Sequence, residues 1–406
     1  MENNRSNLAG KKVVVGMTGR MDSAMAAFLL KKQGMDVIGL SIVTTNDAIV
    51  DKKELLPLCH IQDLEKVREL CERIGAPFYA TNAKPQFESE VIDRIVCNKL
   101  LGKANSSCFD CAQLRMWILF DKMQTLKADY IATGHYAKVH QNLVSKEFFI
   151  HSNNDENSDQ SFLLAGTHPS IIEKLILPLG DLNKKEVAKY AKHFSLPAAP
   201  SMEQKGFCFR TKESSTSILK SRVPKSLIRP GPVENLDSGN SQGEHEGVVF
   251  HYLTEKELDF KSSAHVDKNL EIVGYNYSKA AVYIGHGKHL SFKGAQLSRM
   301  ALSAGLDKTA PINCFVKFKY SNMFVKADLF FKNNDSAFLQ FSEKIYPLIP
   351  EEVLVIYDSD SSNSKVIGWG LVGARGDFKL VNRVERFERA EENESTEAQK
   401  PDYFKF

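Results

Sequence analysis

Short apolar runs alternate with helical periodicity through the first half of the chain. Val13-Val14-Val15 and its flanks predict a strand over Lys12–Val15, and similar runs predict strands over Val37–Val43, Phe78–Thr81 and Tyr130–Thr133. Between them, apolar positions recur at helical spacing over Ala24–Gln33, Leu64–Ile74, Phe87–Leu101 and Ala112–Thr125. This alternation predicts an α/β fold, a doubly wound parallel sheet covered on both faces, with ligands at the carboxyl ends of its strands. A hairpin is expected around Ala137–His151. Helices are expected over Asp159–Ala165, Pro169–Leu175 and Lys184–Phe194, the last opened by Asn183 as its N-cap.

The texture changes after Pro230. Gly, Asn and Ser cluster over Asp237–Gly243, and short alternating segments follow at Gly247–Tyr252, Leu270–Tyr275 and Ala281–Ile284. They recur at Cys314–Tyr320, Val325–Phe331, Val353–Tyr357 and Val366–Leu371, which predicts one or two small β modules, barrel-like in the second case. The expected layout is an α/β domain over 1–210, a central linking β segment over 211–285, a C-terminal β domain over 286–385 and a polar tail over 386–406.

Composition narrows the setting. The chain has 406 residues, 43% of them hydrophobic and 25% charged, ordinary values for a water-soluble protein. No apolar run approaches the ~20 residues that span a bilayer, so no membrane association is expected. The first residues, Met-Glu-Asn-Asn-Arg-Ser-Asn, lack an apolar signal core. Seven unevenly spaced cysteines do not make a secreted disulfide framework, and a reducing cytoplasm is the expected location. The net charge of +3 decides nothing about partners, but between Lys205 and Arg229 seven basic residues stand against one acid, Glu213. Such a stretch attracts a polyanion, and it also suits a solvated face. The Glu388–Glu397 run is acidic and polar.

Candidate chemistry sits at the predicted strand ends. Gly16-Met17-Thr18-Gly19-Arg20-Met21-Asp22-Ser23 joins the first strand to the first helix, where backbone N–H groups and the helix dipole cradle phosphate. The segment lacks the Gly-Lys-Ser/Thr ending of a Walker loop and the Gly-x-Gly-x-x-Gly of a dinucleotide site. Cys108-Phe109-Asp110-Cys111 is a C-x-x-C just before the helix expected at Ala112, an arrangement that stabilises a thiolate, most of all at Cys111. No second pair follows closely enough for zinc. Cys208 lies within the basic stretch, whereas Cys59, Cys71, Cys97 and Cys314 fall in apolar or helical patterns. Thr133-Gly134-His135-Tyr136 closes the fourth strand, and Asp159 precedes an apolar helix that it could cap.

Taken in order, these pieces resemble the tRNA-specific 2-thiouridylases, ATP-pyrophosphatase-type enzymes that replace O2 of the wobble uridine (U34) with sulfur. The resemblance rests on Gly16–Ser23, Val37-Ile38-Gly39-Leu40, Ala132-Thr133-Gly134-His135-Tyr136-Ala137, Ser158-Asp159-Gln160-Ser161-Phe162, Pro178-Leu179-Gly180, Gly206-Phe207-Cys208-Phe209 and Gly243-Glu244-His245-Glu246-Gly247. It implies that Gly16, Met17, Thr18, Gly19, Arg20, Met21, Asp22 and Ser23 hold ATP phosphates, with Ile42 and Gly134 lining adenine or ribose. It implies Cys111 as nucleophile and Cys208 as the persulfide carrier. Contacts to tRNA would come from Ser106, Ser107, Cys108, His135, Ser158, Asp159, Gln160, Lys319 and Tyr320. ATP, Mg²⁺ and a persulfide sulfur-carrier protein would complete the reaction, which passes through a Cys111–Cys208 disulfide.

This sequence departs from the family's pattern at several points. Arg20 stands where the family has glycine, a costly exchange if that position needs φ > 0. The base-contact loop, Gly102–Ser107, has lost both prolines. Thr254-Glu255-Lys256-Glu257-Leu258 replaces a Thr-x-Gly-Gln-Arg turn, and Glu352 replaces a glutamine, so acid is expected near RNA. Two alternatives stay open: a thiolase whose Cys108, Cys111 and Cys208 hold a 4Fe–4S cluster, and a non-catalytic tRNA-binding descendant.

Overall fold

The computed structural model describes residues 8–44, 64–101, 103–104, 107–196, 219–256, 267, 269–318, 323–333 and 336–376. Val13, Val14 and Val15 carry no exposed surface and form the middle of β1 (Lys12–Gly16). β1 pairs in parallel with β2 (Asp36–Val43) on one side and β4 (Tyr130–Ala132) on the other. β3 (Phe78–Asn82) lies beyond β2 and β7 (Leu175–Ile176) beyond β4, so the order is β3-β2-β1-β4-β7, all parallel. Alternate residues of β1 serve opposite faces, which is why the run is apolar throughout. Val13 and Val15 pack with α1 (Met21–Lys32) and α2 (Leu64–Ile74) through Ala27, Leu30, Val67 and Leu70. Val14 packs on the other face with Met116, Leu119 and Met123 of α5 (Ser107–Thr125).

The helix expected over Phe87–Leu101 is a continuous run of α3 (Lys84–Phe87), one wide turn at Glu88–Ile92, and α4 (Asp93–Leu100). The expected hairpin is β5 (Lys138–Gln141) with β6 (Phe148–His151). After α6 (Ser161–Leu164) and α7 (Pro169–Ile172), the expected helical run stops short, and its last residue instead begins strand β7. α8 (Lys184–His193) carries the expected cap as a reciprocal box: Asn183 accepts from the Glu186 N–H, and Glu186 accepts from the Asn183 N–H.

A small sheet follows, β8 (Gly231–Asn235), β9 (Ser241–His245), β10 (Glu271–Asn276) and β11 (Ala281–Gly285), in the order β10-β11-β8-β9. The strand expected at Gly247–Tyr252 is a short 3₁₀ turn, Val248–Phe250, that buries Val248 and Val249 without pairing. The C-terminal strands β12 (Phe292–Leu302), β13 (Ile312–Phe318), β14 (Val325–Asn333), β15 (Ser336–Ile345), β16 (Val353–Tyr357) and β17 (Val366–Gly376) close a six-stranded barrel. Closure comes from antiparallel pairing of β12 with β17. The tail expected over 386–406 lies outside the described residues.

The barrel packs directly on the α/β domain. Val353, Val355, Tyr357 and Val366 share one apolar cluster with Val14, Phe109, Leu119 and Leu164, and Trp369 sits 5.1 Å from the Phe109 ring. Lys317 Nζ of β13 lies 2.8 Å from Asp159 Oδ2, both side chains 3% exposed, and the Ser161 and Tyr357 hydroxyls meet at 2.9 Å. At the hairpin end, Ser152 and Ser364 exchange two hydrogen bonds, and His151 Nδ1 donates to the Asn363 carbonyl at 2.9 Å.

Burial pushes the His151 pKa down to about 4, with the Asn363 carbonyl opposing it. The unfolded chain, with His near its ordinary ~6.5, therefore binds the proton more readily. This group's contribution to stability is intact above about pH 6.5 and is lost as pH falls toward 4, a swing of about 3 kcal/mol. Urea unfolding at steps across that window is expected to show the loss, and His151→Gln to flatten it.

Candidate functional site

β1 is flanked by β2 and β4, so the order of the sheet reverses there and a crevice opens at the carboxyl ends of these strands. The loop that leaves β1 fills its floor. The Met17 N–H donates to the Leu40 carbonyl, and the Ser41 hydroxyl donates to the Met17 carbonyl at 2.9 Å, so β2 holds the loop's first residue. Ser23 Oγ accepts the Thr18 N–H at 3.1 Å and donates to the Arg20 carbonyl at 3.0 Å, folding the loop over the start of α1.

The left-handed residue in this turn is Gly19, at φ +75°, while Arg20 sits at φ −96° in extended backbone. The strain expected from arginine at position 20 is therefore absent, because the positive φ falls on a residue that is still glycine.

Asp22, in the first turn of α1, accepts the Tyr136 hydroxyl at 2.6 Å. Tyr136 is fully buried; its N–H donates to Gln160 Oε1 at 3.1 Å and its carbonyl accepts the Gln160 N–H at 2.9 Å. Gly134 lies against the turn itself. A Cβ there would stand 2.6 Å from the Asp22 carbonyl carbon and 2.8 Å from Ser23 N, backbone atoms that cannot swing aside. Gly134→Ala is expected to cost about 1–3 kcal/mol of stability. It should also weaken nucleotide binding, as read by thermal melts with and without ATP. His135 is half-buried, its Nδ1 2.8 Å from Thr133 Oγ1. Ile42 is buried in the core beneath α5.

α5 begins at Ser107, five residues before its expected start, so both cysteines of the C-x-x-C lie inside it. Cys108 occupies the first turn and is partly exposed; Cys111 occupies the second and is buried among Phe87, Val91, Ile92 and Ile95. Helix-terminus stabilisation therefore falls mainly on Cys108. Cys111 has a different neighbour, Arg115, whose Nε donates to the Cys111 Sγ at 3.3 Å while its Nη2 donates to Thr44 Oγ1 at 3.2 Å, just past β2. Sequence reasoning missed Arg115, although four residues is the spacing at which helix side chains meet. It missed Tyr136 as the partner of Asp22 as well; only the fold brings them together. Asp110 pairs with Arg94 at 2.7 Å; burial raises its pKa and the Arg94 charge opposes that.

Burial lifts the Cys71 thiol to about 11 and the Cys314 thiol to about 12, so both are unreactive packing groups. Cys97 is exposed on α4, and no disulfide joins the described cysteines. Cys59, Ser106, Cys208, Lys319 and Tyr320 lie outside the described residues.

Other sequence-predicted positions are committed to internal contacts. Ser107 is buried, and so is Ser158, whose hydroxyl donates to Asp155 and accepts the Lys184 N–H. The Asp159 carboxylate accepts from the Asn153 and Ser161 N–H groups and from Lys317. Gln160, not Asp159, is the N-cap of α6, although Asp159 Oδ1 does accept its first N–H. Glu255 and Glu352, expected to add acid near RNA, are buried instead, Glu255 with His251 at 3.4 Å. Among the described residues no three His, Cys, Asp or Glu side chains group as metal ligands, and no helix is long and apolar enough to cross a membrane.

Residues 11–212 match the family described as tRNA methyl transferase HUP domain. The tRNA-specific 2-thiouridylase MnmA of Shouchella clausii is 28% identical over 371 residues, 89% of this chain and 96% of that protein. MnmA 1 of Geobacillus kaustophilus is 28% identical over 362 residues (86% and 93%), and MnmA of Clostridium acetobutylicum 27% over 365 (89% and 99%). A solved U34-tRNA thiolase from Methanococcus maripaludis, with its 4Fe–4S cluster, is similar at 19% identity and TM-score 0.34 over 55% of this chain and 71% of that one, too low to carry an argument about the site.

Proposed function

Because the chain belongs to the family of the tRNA-specific 2-thiouridylases, we propose that it is a tRNA sulfurtransferase that converts wobble uridine to 2-thiouridine at the expense of ATP, in the cytoplasm. The observation that carries the reading is the Arg115 bridge, which ties the Cys111 thiol to Thr44 at the same end of the sheet as the Gly16–Ser23 loop.

The chemistry follows from what uracil lacks. Its C2=O is a weak electrophile because oxide is a poor leaving group. Attack of O2 on the α-phosphate of ATP releases pyrophosphate and turns that oxygen into part of AMP, which leaves readily. The N–H groups at the start of α1 stabilise charge on the phosphates. Mg²⁺ bound mainly through nucleotide phosphates needs only one or two carboxylates from the protein, and Asp22 in the first turn of α1 is a suitable one; the ion would offset phosphate charge.

The outer sulfur of a persulfide on Cys208, loaded by a sulfur-carrier protein, bonds to C2 as AMP leaves. The Cys111 thiolate then attacks Cys208 Sγ and breaks its bond to that sulfur, which stays on C2 as 2-thiouridine, and the resulting Cys111–Cys208 disulfide is reduced by an external thiol. The alternative scheme, in which Cys108, Cys111 and Cys208 would hold a 4Fe–4S cluster, draws on the same turn of α5, where Cys108 and Cys111 stand three residues apart.

The test is nucleoside mass spectrometry of tRNA from a host lacking its own thiouridylase and expressing this chain, together with pyrophosphate release by the purified protein. Return of 2-thiouridine, with tRNA-dependent pyrophosphate release, is the expected result. Soluble, folded protein that yields neither would sink the reading.

A further inference from the structure

We propose that Arg115 is the positioning residue of the reaction: it holds Cys111 as a thiolate and fixes it to the nucleotide end of β2. The proposal rests on Cys111 being the nucleophile. Arg115 follows Cys111 by four residues on α5, so both side chains lie on one helix face. Its guanidinium donates through Nε to Sγ and through Nη2 to Thr44 Oγ1, at 3.3 and 3.2 Å. A guanidinium is charged at every working pH, and its planar fork presents both donors at a fixed angle.

Other cations lie around this turn, Arg94 and Arg299 among them, and both act by charge on the neighbouring Asp110. The helical run packed on Cys111 meets it with Phe87, Val91, Ile92 and Ile95. The charged groups of that run that point toward α5 or the segment before β8 are engaged, Arg94 with Asp110 and Glu88 with Arg222; Glu90 acts on Asp110 by its charge. Cys108 and Asp110 are the other titratable groups at the start of α5. A thiol walled by apolar side chains stays protonated, and therefore weakly nucleophilic, unless a cation stands beside it. Arg115, donating to Sγ, is such a cation.

The two bonds also divide the role into separable parts. Lysine keeps the charge but, as a point cation, loses the fixed fork. Thr44→Val leaves the charge and removes only the tether to β2.

The experiment measures alkylation of the Cys111 peptide by iodoacetamide, followed by mass spectrometry, in the full chain and in Arg115→Met, Arg115→Lys and Thr44→Val. At about pH 7 the methionine variant is expected to react about tenfold more slowly than wild type, and at about pH 10 the two rates should converge. Lysine should restore most of the neutral-pH rate. Thr44→Val should react like wild type while 2-thiouridine formation falls. Should Arg115→Met not fold, the lysine and valine variants still divide charge from tether.

Equal rates for wild type and Arg115→Met at both pH values overturn the proposal. So does an equal slowing at both, which is the mark of altered packing alone. The underlying reading fails in a different place: if Cys111→Ser still makes 2-thiouridine, Cys111 is not the nucleophile, whatever its alkylation shows.

Discussion

Cys111→Ser is expected to lower 2-thiouridine formation by about 10³-fold or more, because a serine hydroxyl neither carries nor accepts sulfur at neutral pH. The side chain is buried and the exchange nearly preserves its volume, so the fold, the thermal midpoint and ATP binding should stay close to wild type. Single-turnover assays with purified tRNA, read by nucleoside mass spectrometry, separate loss of chemistry from loss of binding. Cys208→Ser should match it, since the scheme needs both sulfurs. Pyrophosphate release should survive in both variants, because adenylation precedes sulfur transfer in the proposed scheme. An equally complete loss in Cys108→Ser would instead point to chemistry shared among three cysteines.

Lys317→Met should produce the largest loss of stability, about 3–5 kcal/mol, read as a lowered urea midpoint. Lys317 and Asp159 are both nearly inaccessible, and the ammonium also lies 4.1 Å from the Phe324 ring centroid. Removing the lysine leaves a carboxylate buried at the seam between the α/β domain and the barrel with no cation beside it, which costs far more than the intact pair contributes. Lys317→Met with Asp159→Asn should regain a good part of the loss, and that partial recovery distinguishes an orphaned charge from simple cavity formation. ATP binding is expected to weaken in the single variant. Asp159 is followed by Gln160, which holds Tyr136 at two backbone atoms, and Tyr136 holds Asp22 of the phosphate turn.

The α/β half was legible because its central strands β1 and β2 are apolar on both faces and helices such as α2 and α8 are amphipathic. Leu64–Ile74 and the Asn183 cap stand where periodicity predicted them. The barrel strands were legible where alternation is regular, as over Val325–Leu329, or where a short run is apolar throughout, as at Val353–Tyr357. β12 escaped because bulges break its register at Phe292/Gly294 and Ser298/Ala301, so its inward residues do not keep a period of two. β8 and β9 escaped because Gly231-Pro232 and Ser241-Gln242-Gly243 are turn formers held in a sheet by their neighbours. Gly247–Tyr252 failed the other way: its apolar residues plug a core without extending.

At the site, the phosphate turn and the thiols were visible as motifs. Which glycine takes the left-handed conformation was not, because φ is set by how the loop is tied at both ends, here by Ser41 and Ser23. Asp159 read as a helix cap or a tRNA contact because nothing local announces a lysine from a strand far along the chain.

The apolar cluster shared by the α/β domain and the barrel separates two notions of modularity. The matching family model ends at residue 212, yet the oily interior that steadies that stretch is completed by Val353, Val355, Tyr357 and Val366. A fragment cut there would leave Phe109 and Leu164 facing water where Trp369 and its neighbours had covered them. Such a piece should be sticky and short-lived, and grafting a foreign module onto it would mean redesigning the seam as well. The lineage can vary this C-terminal half only along paths that keep its inward-facing flank, so the two halves are bound to evolve as one.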